Sequence, residues 1–191
     1  MTPPERRDVP APLLQSKDLL IGRAFDLEGS GEPADGSVPP PQTVVVGGSM
    51  GGCLTAIALA SIGIDAQVYE RTPGDLPSQG AGLVIQPDMA EFLHRFAVCD
   101  VRDVAVRSAG RQYVDRSGAV IGGNDAPQLF SAWDVLHHAL KRKVLAGAGS
   151  YHSGQSVQSV EAVDDAAGGG VLVTLTGGER VRAELLIGAD G

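Results

Sequence analysis

Residues 43–52 read Thr43-Val44-Val45-Val46-Gly47-Gly48-Ser49-Met50-Gly51-Gly52, a β-branched apolar run that breaks into a glycine turn. An uninterrupted run of this kind predicts a strand buried on both faces, as in a parallel sheet. The next ten residues, Cys53 to Ile62, are small and apolar and stop at Gly63, which predicts a helix with a glycine just past its end. Ala66-Gln67-Val68-Tyr69-Glu70 then reads as a second strand. Strand, turn, helix and strand within about 30 residues form a βαβ unit, whose crossover is right-handed and whose strands are parallel. The fold class is therefore α/β with a parallel sheet.

The turn has the form GxGxxG with Ser49 at the middle glycine position. Gly47 permits the sharp turn, and Gly52 lets the helix lie close to the sheet. Serine at the second position is small enough for a phosphate to approach. Backbone N–H groups at the helix start, aided by the helix dipole, form a site for a diphosphate. Glu70 lies 23 residues after Gly47, at the end of the second strand. A carboxylate there accepts hydrogen bonds from both hydroxyls of an adenosine ribose and repels a 2′-phosphate, which favours FAD or NAD over NADP.

Working outward, Pro73 to Gly82 is rich in turn residues, and Leu83-Val84-Ile85 reads as a short strand. Pro87 opens a helix to about Phe96, with Met89, Phe92, Leu93 and Phe96 at helical spacing. Arg111–Asp115 and Ala119–Ile121 flank Arg116-Ser117-Gly118 as a hairpin. Ser131 is placed to cap a helix from Ala132 to about Ala146. Val157, Val160 and Val163, then Val171, Val173 and Leu175, mark strands before a Gly177-Gly178 hairpin turn, and Leu185-Leu186-Ile187 is a last apolar strand. Residues 1–41 hold eight of the 12 prolines and little periodicity, which predicts a mostly disordered leader; a short helix around Leu13–Phe25 and a misplaced translation start both stay open.

Composition narrows the function classes. The chain has 191 residues, enough for one domain, and a formal net charge of −8, which argues against nucleic acid or an anionic membrane as the main partner. No apolar run reaches the ~20 residues of a membrane span, and Gln15, Lys17 and Asp18 interrupt the only apolar cluster near the start. Glu5, Asp8, Asp18 and Asp26 argue against an organelle transit peptide, so the expectation is a cytoplasmic protein. Cys53 and Cys99 are not spaced for zinc; one disulfide is formally open, but two reduced thiols are expected.

Three stretches, VVVGGSMGG at 44–52, VYER at 68–71 and LLIGADG at 185–191, give the chain a likeness to a known family. Over residues 43–191 it resembles the N-terminal half of the group A flavoprotein hydroxylases, the single-component FAD monooxygenases of aromatic catabolism. GAGLVIQPDMAEFL at 80–93 is similar to the loop and helix beside the flavin ring, and LLIGADG to the opening of the DG motif. Within the family, the serine in the turn, SAWDVLHHAL and YHSGQSV resemble the pyridine-hydroxylating type.

The resemblance implies a Rossmann-like FAD-binding domain over 42–191, in which 103–130 contribute part of an inserted β-rich substrate domain. It implies that Gly47, Gly48, Ser49, Gly51 and Gly52 hold the diphosphate, that Glu70 binds the ribose, and that Arg71 lines the same pocket. Gly80 and Gly82 would let the backbone approach the isoalloxazine, Val157 would lie on the adenine, and Asp190 would sit near the ribityl chain and diphosphate. The implied activity is NAD(P)H-dependent hydroxylation of a small aromatic or N-heteroaromatic ring with O2, through a flavin C4a-hydroperoxide. Catalytic side chains are left unassigned, no metal is implied, and a homodimer is left open.

Two departures stand out. Trp133 occupies a helix position where most of the family has an arginine, although an aromatic residue also occurs there in the pyridine-hydroxylating type. The chain also stops inside the DG motif, so the expectation is a truncated chain, with little or no hydroxylase activity alone. Two other readings stay open: a non-catalytic nucleotide-binding protein, and an NAD-dependent oxidoreductase without flavin. Of the four histidines, His137-His138 are expected to be a partly solvated helix pair, while His152 is either a strand residue or a neighbour of the flavin. Tyr113 and Asp115, in the hairpin, are candidate substrate contacts.

Overall fold

The computed structural model describes residues 43–76, 82–147, 149–164 and 169–191. The leader assigned to 1–41, the helix considered at Leu13–Phe25 and the Gly80 position lie outside the described residues.

The elements in chain order are β1 (Thr43–Val46), α1 (Met50–Ala60), β2 (Ala66–Glu70), β3 (Gly82–Ile85), α2 (Pro87–Arg95), α3 (Val101–Val104), β4 (Val106–Arg107), β5 (Arg111–Val114), β6 (Val120–Asn124), β7 (Leu129–Ala132), α4 (Trp133–Leu145), β8 (Ser150–Ser153), β9 (Val157–Val163), β10 (Gly170–Leu175), β11 (Arg180–Ala183) and β12 (Leu185–Gly188). The central sheet has the order β12-β1-β2-β8 with every neighbour parallel. From β1 the chain leaves to β2 on one side, and β12 returns on the other. The crevice beyond the carboxyl ends of β1 and β12 is thus a topological switch point, where open α/β sheets bind ligands.

Both faces of this sheet are covered, which explains the unbroken apolar run of β1. Val45 and Val68 point into a core with Cys53, Ala56 and Ile57 of α1, Leu93 of α2, and Leu136, Leu140 and Val144 of α4. Val44 and Tyr69, the alternate residues, face Val173, Leu175, Val181 and Ala183 of the antiparallel sheet β11-β10-β9. Full burial of each Val or Leu contributes about 1.5–3 kcal/mol. These side chains fix the layers: helices, parallel sheet, antiparallel sheet.

A second antiparallel sheet, β3-β7-β4, and the β5-β6 hairpin complete the described residues. Tyr113, Val114, Val120 and Ile121 of the hairpin are exposed. Asp115 is spent locally, since its Oδ1 accepts from the Ser117 and Ala119 N–H groups at 2.8 and 3.0 Å.

One cap differs from expectation. Ser131 does not cap α4; it belongs to β7, paired with Leu83, and its hydroxyl bonds the Ala132 carbonyl at 3.1 Å. Ala132 takes the cap position without a side-chain bond, because strand pairing continues up to the first turn of the helix.

Candidate functional site

The glycine turn is held from both sides. The Gly47 N–H donates to the Tyr69 carbonyl at 2.8 Å, and the Ala189 N–H to the Val46 carbonyl at 2.7 Å. These bonds join the carboxyl ends of β1, β2 and β12. Gly47 has φ +101°, and a Cβ there would lie 2.6 Å from the Ala189 backbone. At Gly52 a Cβ would lie 1.9 Å from the Gly47 carbonyl oxygen, so α1 approaches the turn more closely than any side chain permits.

Ser49 is the N-cap of α1, with extended backbone and no side-chain cap bond. The first intrahelical bond runs from Cys53 N–H to the Ser49 carbonyl at 3.1 Å. The N–H groups of Met50, Gly51 and Gly52 therefore precede the helical ladder and give this end its positive potential.

Glu70 ends β2 beside this turn and is only 6% exposed. Its carboxylate accepts the Gly48 N–H through Oε2 and the Thr72 N–H through Oε1, each at 2.8 Å. Burial pushes the carboxyl upward, but the Thr72 and Gly48 hydrogen bonds, helped by the Arg71 guanidinium, outweigh it and hold Glu70 below the usual glutamate range. The group is ionised at neutral pH and retains lone pairs for further donors.

A cavity of about 490 Å³ opens on this edge of the sheet, within the ~300–1,000 Å³ usual for small-molecule sites. It brings together six of the residues singled out from the sequence: Gly47, Ser49, Glu70, Arg71, Val157 and Asp190. Gly48, Gly51 and Gly52 form the turn and helix start at its edge without lining it. Gly82 stands apart, at the start of β3 and paired with Ala132. Tyr69, Thr72, Trp133 and Gln155 also line the cavity.

The region behind the turn was not anticipated. His137, expected in a partly solvated pair, has no exposed surface, whereas the His138 side chain is 46% exposed. The two rings diverge because His137 continues the buried stripe of Trp133, Leu136, Leu140 and Val144 along α4, a helical spacing readable in the sequence. His137 stacks on Trp133 with centroids 4.8 Å apart, and its Nε2 lies 2.8 Å from the Gly48 carbonyl. Burial lowers its pKa. His152, which the sequence left between a strand residue and a neighbour of the flavin, lies in β8 and stacks on Tyr69 at 4.7 Å. Lys141 ties α4 to the loop after β2 through Asp75 at 2.9 Å and lies 4.6 Å above the Tyr151 ring.

An amide-rich turn, an ionised carboxylate at the adjacent strand end and a cavity touching both suit a nucleotide carrying a diphosphate. Comparison with known proteins agrees with that chemistry. A family model described as "FAD binding domain" matches residues 41–191. The chain is similar to 2,6-dihydroxypyridine 3-monooxygenase of Paenarthrobacter nicotinovorans, 31% identical over 148 residues that cover 77% of this chain and 36% of that enzyme. A solved structure of 2,6-dihydroxypyridine-3-hydroxylase from Arthrobacter nicotinovorans superposes with a TM-score of 0.66 at 31% identity, over 81% of this chain and 38% of the other. Likeness in fold extends to p-nitrophenol 4-monooxygenase from Pseudomonas putida, with a TM-score of 0.68 at 24% identity, over 80% of this chain and 41% of that one. The chain thus spans little more than a third of the length of the relatives it matches.

Proposed function

This chain belongs to the FAD-binding domain family, and from that premise we propose that it forms the nucleotide-binding portion of an NAD(P)H-dependent flavin monooxygenase that hydroxylates a small aromatic or N-heteroaromatic ring. One observation carries the reading: the buried, ionised Glu70 carboxylate and the amide-rich turn around Ser49 face one cavity at the carboxyl ends of β1 and β2. The relatives named above, a pyridine hydroxylase among them, support the substrate class.

In this reading the N–H groups at the start of α1 receive the diphosphate, and Glu70 accepts from the ribose hydroxyls. Arg71 lies beside Glu70 and offsets its charge. Val157 provides the apolar wall for the adenine, and Asp190 accepts from the hydroxyls of the ribityl chain. Bound FAD supplies hydride acceptance from NAD(P)H and activation of O2; the protein's part is to orient the cofactor and ring and to exclude water. Residues 103–130, with the β5-β6 hairpin, are assigned to the substrate side. Gly80 and Gly82 are assigned to the approach of the isoalloxazine.

The nicotinamide-only reading is not favoured, because it would continue as further βαβ units after Glu70. Here β2 is followed by antiparallel strands, and the family match is to an FAD-binding domain. Titrating the purified chain with FAD, followed by flavin fluorescence, tests the proposal. Saturable 1:1 binding that NAD+ displaces only weakly is expected. No binding of FAD at any concentration, or tighter binding of NAD+, overturns it.

A further inference from the structure

Three side chains from three different elements converge on one backbone oxygen. The Gly48 carbonyl accepts from His137 Nε2 at 2.8 Å, from the Tyr151 hydroxyl at 2.9 Å and from the Cys53 thiol at 3.6 Å. They come from α4, β8 and α1, and the first two lie 89 and 103 residues away in sequence. On its other side the same residue donates its N–H to Glu70. Gly48 is therefore clamped at both ends.

The direction of the clamp matters. In a trans peptide the carbonyl and the following N–H point opposite ways. Drawing the Gly48 carbonyl back onto His137 and Tyr151 turns the Ser49 N–H away from them, toward the cavity that Ser49 lines. A carbonyl that already accepts strong bonds also polarises its peptide and strengthens that N–H as a donor.

The histidine carries a mark of this service. A carbonyl can only accept, so Nε2 holds the proton and Nδ1 is a bare acceptor. Nδ1 is buried without a hydrogen-bond partner. Leaving a buried acceptor unmade costs stability that an apolar residue of similar shape would not. Nothing on the Nδ1 side repays that cost; the bond from Nε2 to the turn does. Trp133, stacked on His137, lines the cavity and walls the ring off from it. Lys141, above the Tyr151 ring, braces the second donor.

We propose that His137 and Tyr151 are positioning residues that hold the Gly48–Ser49 peptide with its N–H aimed at the diphosphate of the bound nucleotide. The inference rests on the FAD reading of this cavity, but it concerns residues that touch the turn and not the ligand.

The test uses the full chain and the variants Tyr151→Phe, His137→Leu and His137→Gln, whose amide nitrogen reaches the place of Nε2. Affinities for FAD, ADP and adenosine are measured by fluorescence and calorimetry. In the ligand-free, isotope-labelled protein, NMR follows the Gly48 carbonyl carbon and the Ser49 amide. Tyr151→Phe and His137→Leu are expected to weaken FAD and ADP roughly five- to tenfold each, leave adenosine unchanged, and shift both NMR signals; His137→Gln restores them. Should His137→Leu fail to fold, Tyr151→Phe, which deletes one hydroxyl, decides the matter. Equal loss for adenosine and ADP means a structural role only and overturns the inference, as do unchanged affinities. A wild-type chain that binds neither FAD nor ADP overturns the underlying reading, and the inference with it.

Discussion

The Glu70 carboxylate accepts the Gly48 N–H at 2.8 Å across 22 residues of sequence, joining the end of β2 to the turn after β1. Its other oxygen accepts the Thr72 N–H, so a single side chain organises both rims of the cavity. A site held this way before a ligand arrives loses less conformational entropy on binding.

Acid should loosen this junction. The folded Glu70 carboxyl lies below the ordinary glutamate value of 4.5, so its stabilising effect is fully present above that value and is lost as pH falls through the folded pKa. Glu70→Gln keeps the shape but leaves one buried N–H poorly matched, at a cost of about 1–3 kcal/mol. Thermal unfolding at pH 7 should fall by roughly 2–4 °C per kcal/mol for a chain of this size. Below pH 4 the gap between wild type and variant should narrow. A gap that stays constant from pH 7 to pH 3 would show that the carboxylate's charge is not what holds the turn.

The two adjacent glycines of α1 should respond in opposite ways. A Cβ on Gly52 would meet the Gly47 carbonyl at 1.9 Å, a backbone atom that cannot swing aside, whereas a Cβ on Gly51 would meet nothing within 4 Å. Gly52→Ala should therefore cost several kcal/mol or prevent folding. Gly51→Ala should be neutral or stabilise by up to about 1 kcal/mol, the helix-propensity difference between the two residues. Denaturant unfolding of both variants measures this, and equal midpoints would contradict the close approach of α1 to the turn.

The two thiols should separate by reactivity. Cys53 is fully buried and burial pushes its thiol up to about 12, so almost no thiolate forms at neutral pH. Cys99 is also shifted upward, by burial first and then by Asp103, but it is partly exposed. A colorimetric thiol reagent at pH 8 should modify Cys99 slowly and Cys53 only after denaturation. Rapid modification of two thiols per native chain would contradict the core assignment of Cys53.

The local parts of this structure were legible in the amino-acid sequence because they depend on neighbours along the chain. The β-branched run of β1 reads as a strand buried on both faces, Gly47 and Gly52 stand where backbone crowding admits no side chain, and Glu70 falls at the end of the next strand. What the sequence could not determine is which distant groups meet at the turn. Parallel pairing of β8 with β2 brings Tyr151 to the Gly48 carbonyl, and packing of α4 against α1 brings His137 there. The same packing buries His137 and leaves its neighbour His138 in solvent, while β3–β7 pairing draws Ser131 into a strand and sets Gly82 apart from the cavity. These contacts depend on the order and register of strands far apart in the chain, and local preference carries no information about that choice.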